Sequence, residues 1–407
     1  MRIAMVTGVF PVVSESFIVS QITGLIDLGH TVDIFAFNRG NTKILQEEVR
    51  QYKLLARTTY LNVRPNGAVD VLKWVFSSQQ CFLCHPLFFL KSMSLGRKEG
   101  RYATLVKLIP FLKKNYDIVH CHFGPMGAHM IFLKDIFPHI KVITQFHGYD
   151  VGVVPQAEPD IYKELFARGD RFLLVSQYFR KKLIEQGCPA SRITIHYCGV
   201  DGDKFSFWKK EFNFKNRIKI LSSGRLVEKK GFDCALRAVA LAAKKFPQIE
   251  YTIVGDGLQR AHLQELTGQL GLSSMVRFVG AVSNEQMKEF YKAADILLAP
   301  SFSASSGDEE GMPVVIKEAM ASGVVVISTQ HAGIPEMIDD EKTGFLVPEK
   351  DEKALTQKLE YVIGHPEICS PVTHRARQSV IEHFEQKELN KKLESIYRDI
   401  LSEADHD

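Results

Sequence analysis

Short apolar runs alternate with segments of helical periodicity over most of the chain. Residues 2–10 form an apolar run typical of a buried strand, and apolar positions from Ile18 to Ile26 then recur at helical spacing, with an end near Gly29. Further strand-like runs begin at residues 31, 117, 141, 171 and 193. Runs that are apolar throughout and separated by helices are typical of a parallel sheet covered on both faces, so the pattern predicts an α/β fold.

The same alternation starts again after a polar, basic segment at residues 208–217, which we interpret as a domain boundary. Six more strand-like runs follow, and the last helix carries an apolar stripe that another surface must cover. We therefore expect two α/β domains, residues 1–205 and 206–385, that face each other across a cleft. The C-terminal helix, residues 386–407, is expected to pack back on the first domain.

The composition of the 407 residues narrows the class of protein. A hydrophobic fraction of 45% with 24% charged residues excludes a disordered, collagen-like or polytopic membrane chain, and a net charge of +4 is too small to indicate nucleic-acid binding. Seven cysteines, an odd number, fit a reducing compartment. The N-terminus lacks the pattern of a secretory signal, and no apolar stretch reaches the ~20 residues of a spanning helix, so we expect a cytoplasmic protein.

Two clusters have the spacing of metal or haem sites, but we interpret both as packing. Cys81, Cys84 and His85 match the C-x-x-C-H pattern of haem attachment, yet the chain has no second such motif. His120 and His122 share one face of a strand without an evident third ligand. We predict no metal and no cofactor. His122, at the strand end, is expected to line the cleft, and His120 is expected in the core.

The most informative segment runs from Glu309 to Gly323, where the pattern predicts a helix with Pro313 at its first position. A helix N-terminus that follows a strand and a small-residue loop presents free N–H groups to an anion, so we expect a phosphate there. Glu310 and Glu318 would then contact two parts of one ligand. Spacing alone leaves a second interpretation open, a capped surface helix with solvated acids.

A basic turn from Gly224 to Gly231 directly follows the strand that begins at residue 218. Arg225 offers a planar fork of donors and Lys230 a point charge, which are two ways of binding a diphosphate. Taken alone, this segment is more simply interpreted as a basic surface turn. Because the same domain also has a helix whose N-terminus could bind an anion, we favour a binding site for a nucleotide diphosphate.

These segments resemble a known family. The Glu-x7-Glu pair at Glu310 and Glu318, the G-R-L-x-E-K-K-G turn and the A-G-I-P-E sequence at 332–336 are similar to motifs of retaining glycosyltransferases of family 4. The resemblance extends to V-G-D-G at 254–257 and T-G-F-L-V at 343–347, and so covers nearly the whole chain. It implies the GT-B architecture, with two facing Rossmann-like domains, parallel sheets and a central cleft.

The start of the chain resembles a subset of that family. Phe10-Pro11 followed by Ser14-Glu15 is similar to bacterial exopolysaccharide enzymes of the colanic acid type. Many relatives carry a Gly-Gly pair in this first loop, where this chain has V-V-S-E at 12–15. We therefore interpret the loop as facing the acceptor and not a phosphate.

The resemblance implies a role for each matching residue. Arg225 and Lys230 would bind the donor diphosphate, and Glu318 would hydrogen-bond the ribose. Glu310 and His147 are the expected catalytic residues, with His147 facing the donor sugar from the first domain. The remaining implied contacts are Gly311, Met312, Pro313 and Val314 for the donor, and Ser14, Glu15, His122 and Asp150 for the acceptor.

The implied reaction transfers a sugar from a UDP- or GDP-sugar to a lipid-linked saccharide in exopolysaccharide or lipopolysaccharide biosynthesis, with retention at the anomeric carbon. Arg225, Lys230 and the helix dipole would stabilise charge on the departing diphosphate without a metal. No acid is clearly placed as a nucleophile, which favours a same-face mechanism. Two alternatives stay open, a nucleotide-sugar epimerase of the same fold and a non-catalytic sugar- or nucleotide-binding protein.

Basic residues are concentrated in one part of the chain. Residues 43–116 contain thirteen Lys or Arg against four acids, with Trp74, Phe76, Phe82 and the apolar residues 87–90 among them. A basic, apolar surface suits anionic headgroups, so we expect peripheral binding to the inner membrane surface. The alternative is an ordinary core surrounded by solvated lysines.

Overall fold

Two parallel sheets form the framework of the computed structural model, which describes residues 1–61, 111 and 114–403. The first sheet has the strand order β3-β2-β1-β4-β5-β6-β7, and the second has the order β10-β9-β8-β11-β12-β13. Every strand pair in both sheets is parallel. This is the doubly wound arrangement predicted from the alternating pattern.

The first domain carries short helices between its strands. Its strands are β1 Arg2–Phe10, β2 Thr31–Arg39, β3 Thr58–Tyr60, β4 Ile118–His122, β5 Lys141–Phe146, β6 Arg171–Leu174 and β7 Ile193–Ile195. Its described α-helices are Ser16–Asp27, Glu47–Gln51, Gly124–Met130, Leu133–Ile136, Tyr149–Gly152, Val154–Ala157, Lys163–Arg168 and Tyr178–Glu185, with 3-10 turns at Leu54–Arg57 and Ala190–Arg192.

The second domain has longer helices. Its strands are β8 Ile218–Ser223, β9 Ile249–Val254, β10 Val276–Gly280, β11 Ile296–Ala299, β12 Val325–Thr329 and β13 Phe345–Val347. Its α-helices are Phe232–Ala242, Arg260–Gln269, Asn284–Ala293, Val314–Ala321, Glu352–Gly364 and Cys369–His383, with 3-10 turns at Glu228–Lys230, Ile334–Glu336 and Pro366–Ile368. A last helix, Gln386–Ser402, ends the described chain.

Alternate strand residues enter separate cores on the two faces of each sheet. In β1, Ala4 and Val6 belong to one apolar cluster while Ile3 and Met5 belong to the other. Apolar residues of β8 divide in the same way between the two faces of the second sheet. Burial on both faces explains why these strands have no polar alternation in sequence.

The strand order reverses between β1 and β4 in the first sheet and between β8 and β11 in the second. Successive connections leave such a point on opposite faces, so a crevice opens at the carboxyl ends of the two central strands. The loop after β8 contains the basic turn, and the loop after β11 leads to the Glu-x7-Glu helix. The fold thus brings the two predicted donor segments to one crevice.

The chain crosses between the domains twice, and the two crossings lie side by side. Val200 N donates to Phe384 O at 2.9 Å, and Gln386 N donates to Val200 O at 3.0 Å. The last helix then packs on Ser16–Asp27 of the first domain, where its Leu393, Tyr397 and Ile400 are buried.

The helix after the Glu310 loop begins one residue later than the sequence pattern predicts. Pro313 stands one residue before the helix Val314–Ala321, at its N-cap, and not at the first helical position. The Cys81–His85 cluster and most of the basic region lie outside the described residues. Within the described ranges, no helix is both long and apolar enough to span a bilayer.

Candidate functional site

Half-buried Lys230 forms an ion pair with buried Glu310 at the centre of the crevice in the second domain. Lys230 Nζ lies 3.0 Å from Glu310 Oε1, and Lys229 Nζ lies 3.7 Å from the same oxygen. Burial alone would raise the pKa of Glu310, but Lys230, Lys229 and Arg225 outweigh it and lower that pKa to about 2. Glu310 is therefore ionised at any physiological pH.

The ammonium of Lys230 and the N-terminus of the helix Val314–Ala321 border the same space. A cavity of about 10 Å³, roughly the room for one water, is lined by Lys230, Pro313 and the ends of β8 and β11. Arg225 is exposed beside it and acts electrostatically on both Lys230 and Glu310. Two cations and a helix N-terminus thus converge, as expected for a diphosphate site.

Glu318 is buried on the inner face of the same helix and is held by a tyrosine. Tyr291 donates from its hydroxyl to Glu318 Oε2 at 2.9 Å, and the same hydroxyl lies 3.5 Å from Ser223 Oγ. Burial raises the pKa of Glu318 to about 7, although the Tyr291 hydrogen bond opposes this. Nothing in the sequence pattern indicated Tyr291, because it lies on a different helix.

His331 fixes the backbone of Glu310. The Glu310 N–H donates to His331 Nε2 at 3.1 Å, so the ring proton is on Nδ1, which donates to Glu349 at 2.8 Å. His331 is buried and directly precedes the A-G-I-P-E sequence. Its position next to this motif is the one feature of the sequence that could have indicated a role for His331 in the site.

The first loop of the N-terminal domain faces this site. Ser14 is exposed and Glu15 is half-buried. Burial raises the pKa of Glu15 to about 7, and Arg225, which belongs to the other domain, opposes the shift. Glu15 and Arg225 are therefore close enough to interact electrostatically, so the first loop and the basic turn face each other across the cleft.

His147 and His122 share a hydrogen bond of 3.1 Å between His147 Nε2 and His122 Nδ1. His147 is half-buried, its ring centroid 4.6 Å from that of Phe17, and burial lowers its pKa to about 3. Both rings are therefore neutral. His122 is completely buried and reaches the cleft only through His147, while His120 is a core residue as expected.

Asp150 does not face the cleft as an acceptor contact requires. Its side chain is fully buried, and its carboxylate accepts from the N–H groups of Gly124, His147 and Gly148 at 2.8–2.9 Å. Burial raises its pKa against these three bonds. The short helix Tyr149–Gly152 turns the side chain inward, where it fixes the backbone on either side of His147.

The two domains touch where the loop after β11 meets the loop after β5. A Cβ added at Gly311 would lie 2.2 Å from the carbonyl oxygen of His147. Only glycine permits this approach of two backbones. Met312 follows with its side chain in the core, so the close approach to the first domain is made by the backbone just before it, at Gly311.

Residues 204–379 match the family described as Glycosyl transferases group 1, and residues 14–204 match Glycosyltransferase Family 4. The putative colanic acid biosynthesis glycosyltransferase WcaL of Escherichia coli (strain K12) is 34% identical over 95% of this chain and 97% of its own. The chain belongs to the family 4 glycosyltransferases. The amylovoran biosynthesis glycosyltransferase AmsK of Erwinia amylovora is 33% identical over 97% of this chain and 99% of its own.

A solved structure of low sequence identity has the same fold as this glycosyltransferase. HepE of Anabaena, crystallised in complex with UDP, superposes with a TM-score of 0.73 over 98% of this chain and 100% of its own, at 15% identity. Together with the two parallel sheets, this confirms the predicted GT-B architecture. Within the part of the chain that the structure describes, no three His, Cys, Asp or Glu side chains are grouped as metal ligands.

Proposed function

We propose that this glycosyltransferase moves a sugar from a UDP- or GDP-sugar to a saccharide acceptor with retention of the anomeric configuration. The observation that carries the proposal is the convergence of Arg225, Lys230, Glu310 and a helix N-terminus at one crevice, with His147 on the opposing domain. The UDP in the HepE crystal structure supports a nucleotide donor.

Arg225 and Lys230 would bind the donor diphosphate and stabilise the charge that develops on it. When the bond between the anomeric carbon and the phosphate oxygen breaks, its electron pair stays on the diphosphate, where preorganised cations lower the barrier. The acceptor oxygen then forms its bond to the anomeric carbon from the same face. Its proton passes to the departing phosphate oxygen, so the step needs no protein nucleophile.

The two glutamates of the Glu-x7-Glu pair would hold different parts of the donor. Glu310, ionised and fixed by Lys230 and His331, would accept from sugar hydroxyls. Glu318, whose Oε2 is held by Tyr291, would present its other oxygen to the ribose. His147, neutral in this site, would contact the sugar from the opposite side.

We propose that no metal takes part. The two cations and the helix dipole supply the positive charge that a divalent ion provides in other nucleotide sites. Turnover that is equal with EDTA and with added Mg²⁺ or Mn²⁺ would support this. Loss of turnover in EDTA that either ion restores would contradict it.

We further propose a lipid-linked saccharide as the acceptor, bound near Ser14 and Glu15 at the inner membrane surface. The support is the half-buried Glu15 across the cleft from the donor site, and the biosynthesis of colanic acid and amylovoran named for two relatives. The basic region 43–116 would bind anionic lipid headgroups beside such an acceptor.

A nucleotide-sugar screen tests the reaction itself. Ligands that bind the native state raise the melting temperature by mass action, so a panel of UDP- and GDP-sugars identifies the donor. NMR of the product made with that donor then reports the anomeric configuration. An inverted product would overturn the retaining mechanism. Isomerised sugar without acceptor would indicate an epimerase, and binding without any turnover a non-catalytic protein.

A further inference from the structure

Glu336, the last residue of A-G-I-P-E, reaches across the domain interface. Its Oε2 accepts from Gln177 N at 2.9 Å and its Oε1 accepts from Tyr178 N at 3.0 Å. The hydroxyl of Tyr197 also donates to Oε2, at 3.3 Å. All three donors lie before the boundary at residue 205, so one half-buried carboxylate of the second domain binds three groups of the first.

The two backbone donors are the free N–H groups at the start of the helix Tyr178–Glu185. The first N–H groups of a helix have no partner within it, and a carboxylate there also complements the helix dipole. This helix has no side-chain cap of its own. Glu336 therefore provides, from the other domain of the same chain, the N-terminal cap that a Ser or Asp at the start of a helix usually provides.

A second acid binds the same helix from the site itself. Glu309, the neighbour of Glu310, accepts from the Tyr178 hydroxyl at 2.9 Å and forms an ion pair with Lys182. Burial raises the pKa of Glu309, but the bonds from Lys182 and Tyr178 outweigh it and lower that pKa. The helix Tyr178–Glu185 is thus held at its N-terminus and along its first turns by the second domain.

The segment between His331 and Glu336 connects this contact to Glu310. His331 accepts the Glu310 N–H at one end, and Glu336 caps the helix at the other. Between them, a Cβ added at Gly333 would lie 2.2 Å from Gly311 O and 2.8 Å from the Ser176 Cβ. The segment 331–336 is therefore wedged between the site loop and the strand end that precedes the helix.

We propose that Glu336 is an interdomain latch, a positioning residue that couples docking of the N-terminal domain to the placement of Glu310. The two chain crossings are adjacent, so they act as a hinge and do not themselves fix the angle between the domains. Contacts on the cleft side must fix it, and Glu336 makes three of them. The consequence for turnover rests on the function proposed above, whereas the docking itself does not.

Small-angle scattering of the full chain tests the docking without any assay of activity. Glu336→Ala is expected to increase the radius of gyration, because three cross-domain bonds are lost, and Glu336→Gln, which retains one oxygen, to give a smaller increase. Glu352→Gln is the matched control, since Glu352 pairs with Arg237 on the outside of the same domain. Scattering by Glu336→Ala that is identical to wild type and to the control would overturn the latch.

Binding and kinetics then separate positioning from a direct role. UDP or GDP affinity of Glu336→Ala is expected to stay within about threefold of wild type, because Glu336 touches neither Arg225 nor Glu318. The value of kcat is expected to fall at least tenfold, with partial recovery in Glu336→Gln. A tenfold loss of nucleotide affinity, or wild-type kcat in an opened molecule, would contradict the proposal. If no nucleotide binds even to the wild-type protein, the proposed function is wrong. The scattering experiment still tests the latch in that case, because it does not depend on nucleotide binding.

Discussion

Tyr291 donates a hydrogen bond of 2.9 Å to Glu318, and both side chains are buried beneath the crevice. The tyrosine hydroxyl occupies Oε2, which leaves Oε1 as the oxygen available to a ligand. Ionising a buried acid that accepts only one strong hydrogen bond costs free energy, because the charge is poorly solvated. Its titration is therefore measurable in the stability of the protein.

The pKa of Glu318, raised from 4.5 to about 7, makes stability fall as pH rises between those values. In this window the folded state binds more protons at Glu318 than the unfolded state, so ionisation costs folding free energy, by roughly 3 kcal/mol for the full shift. Glu318→Gln cannot ionise, and its melting temperature should therefore gain on wild type from pH 5 to pH 7.5. Melting curves at these two pH values provide the measurement.

Two other acids of the same protein, Glu310 and Glu15, provide comparisons for the pH dependence expected of Glu318. Glu310, with a pKa of about 2, contributes stability that is present above pH 4.5 and is lost only in stronger acid, so it does not affect this window. Glu15 shifts in the same direction as Glu318, and Glu15→Gln should show a similar gain. If the difference in melting temperature between Glu318→Gln and wild type is the same at both pH values, the pKa of Glu318 is not raised in the folded protein.

Arg225→Ala and Lys230→Ala should both weaken nucleotide diphosphate binding but should differ in stability. Charged hydrogen bonds of this kind contribute roughly 1.5–3 kcal/mol each to binding. Arg225 is exposed, and its loss should leave the melting temperature near wild type. Lys230 pairs with buried Glu310, so its loss should lower the melting temperature, although by less than the roughly 3–5 kcal/mol of a fully broken buried pair, because Lys229 still lies 3.7 Å from Glu310. Calorimetric titration and melting curves of the two variants test this, and equal nucleotide affinity in both variants and wild type would exclude the diphosphate site.

Glu310→Gln should lose most transfer activity with a smaller change in nucleotide affinity. The substitution removes the negative charge opposite Lys230 but keeps the size of the side chain, and the His331 bond to the backbone N–H is unaffected. Lys229 would retain Asp308 as a partner at 2.9 Å. Steady-state kinetics with saturating donor measures the loss, and activity close to wild type would remove Glu310 from the catalytic residues.

The sequence predicted the strands and the donor segments because both depend on local pattern. Apolar runs define the buried strands, and the eight-residue spacing of Glu310 and Glu318 places both acids on one helix and its preceding loop. Tyr291, His331 and Glu336 were missed because their roles depend on tertiary pairing. Tyr291 and Glu318 are 27 residues apart, and Glu336 and Gln177 are 159 apart. Such pairs follow only from the arrangement of the helices and domains.

Vesicle sedimentation tests the membrane proposal, which rests on the sequence of residues 43–116. The chain should bind anionic vesicles, bind neutral vesicles little, and be released by high salt. Replacing Arg97, Lys98 and Arg101 with Gln should weaken binding by roughly two orders of magnitude, at about 1 kcal/mol per basic residue. Lys181→Gln, on an exposed helix face, is the matched control. If the chain binds neither vesicle type at low salt, the membrane proposal is wrong and the alternative holds, an ordinary core surrounded by solvated lysines.

Asp150→Asn distinguishes a structural role from an acceptor contact. The amide keeps one oxygen, so either the Gly124 N–H or the pair from His147 and Gly148 loses its acceptor and faces an NH₂ group. An unsatisfied buried donor costs about 1–3 kcal/mol, so the variant should melt clearly below wild type. Asp160→Asn, an exposed acid on the same domain, should melt like wild type. If Asp150→Asn melts like wild type but has a raised KM for the acceptor, Asp150 contacts the acceptor, as the sequence predicts. The reason is that a group that only binds substrate can be changed without loosening the loop that holds His147.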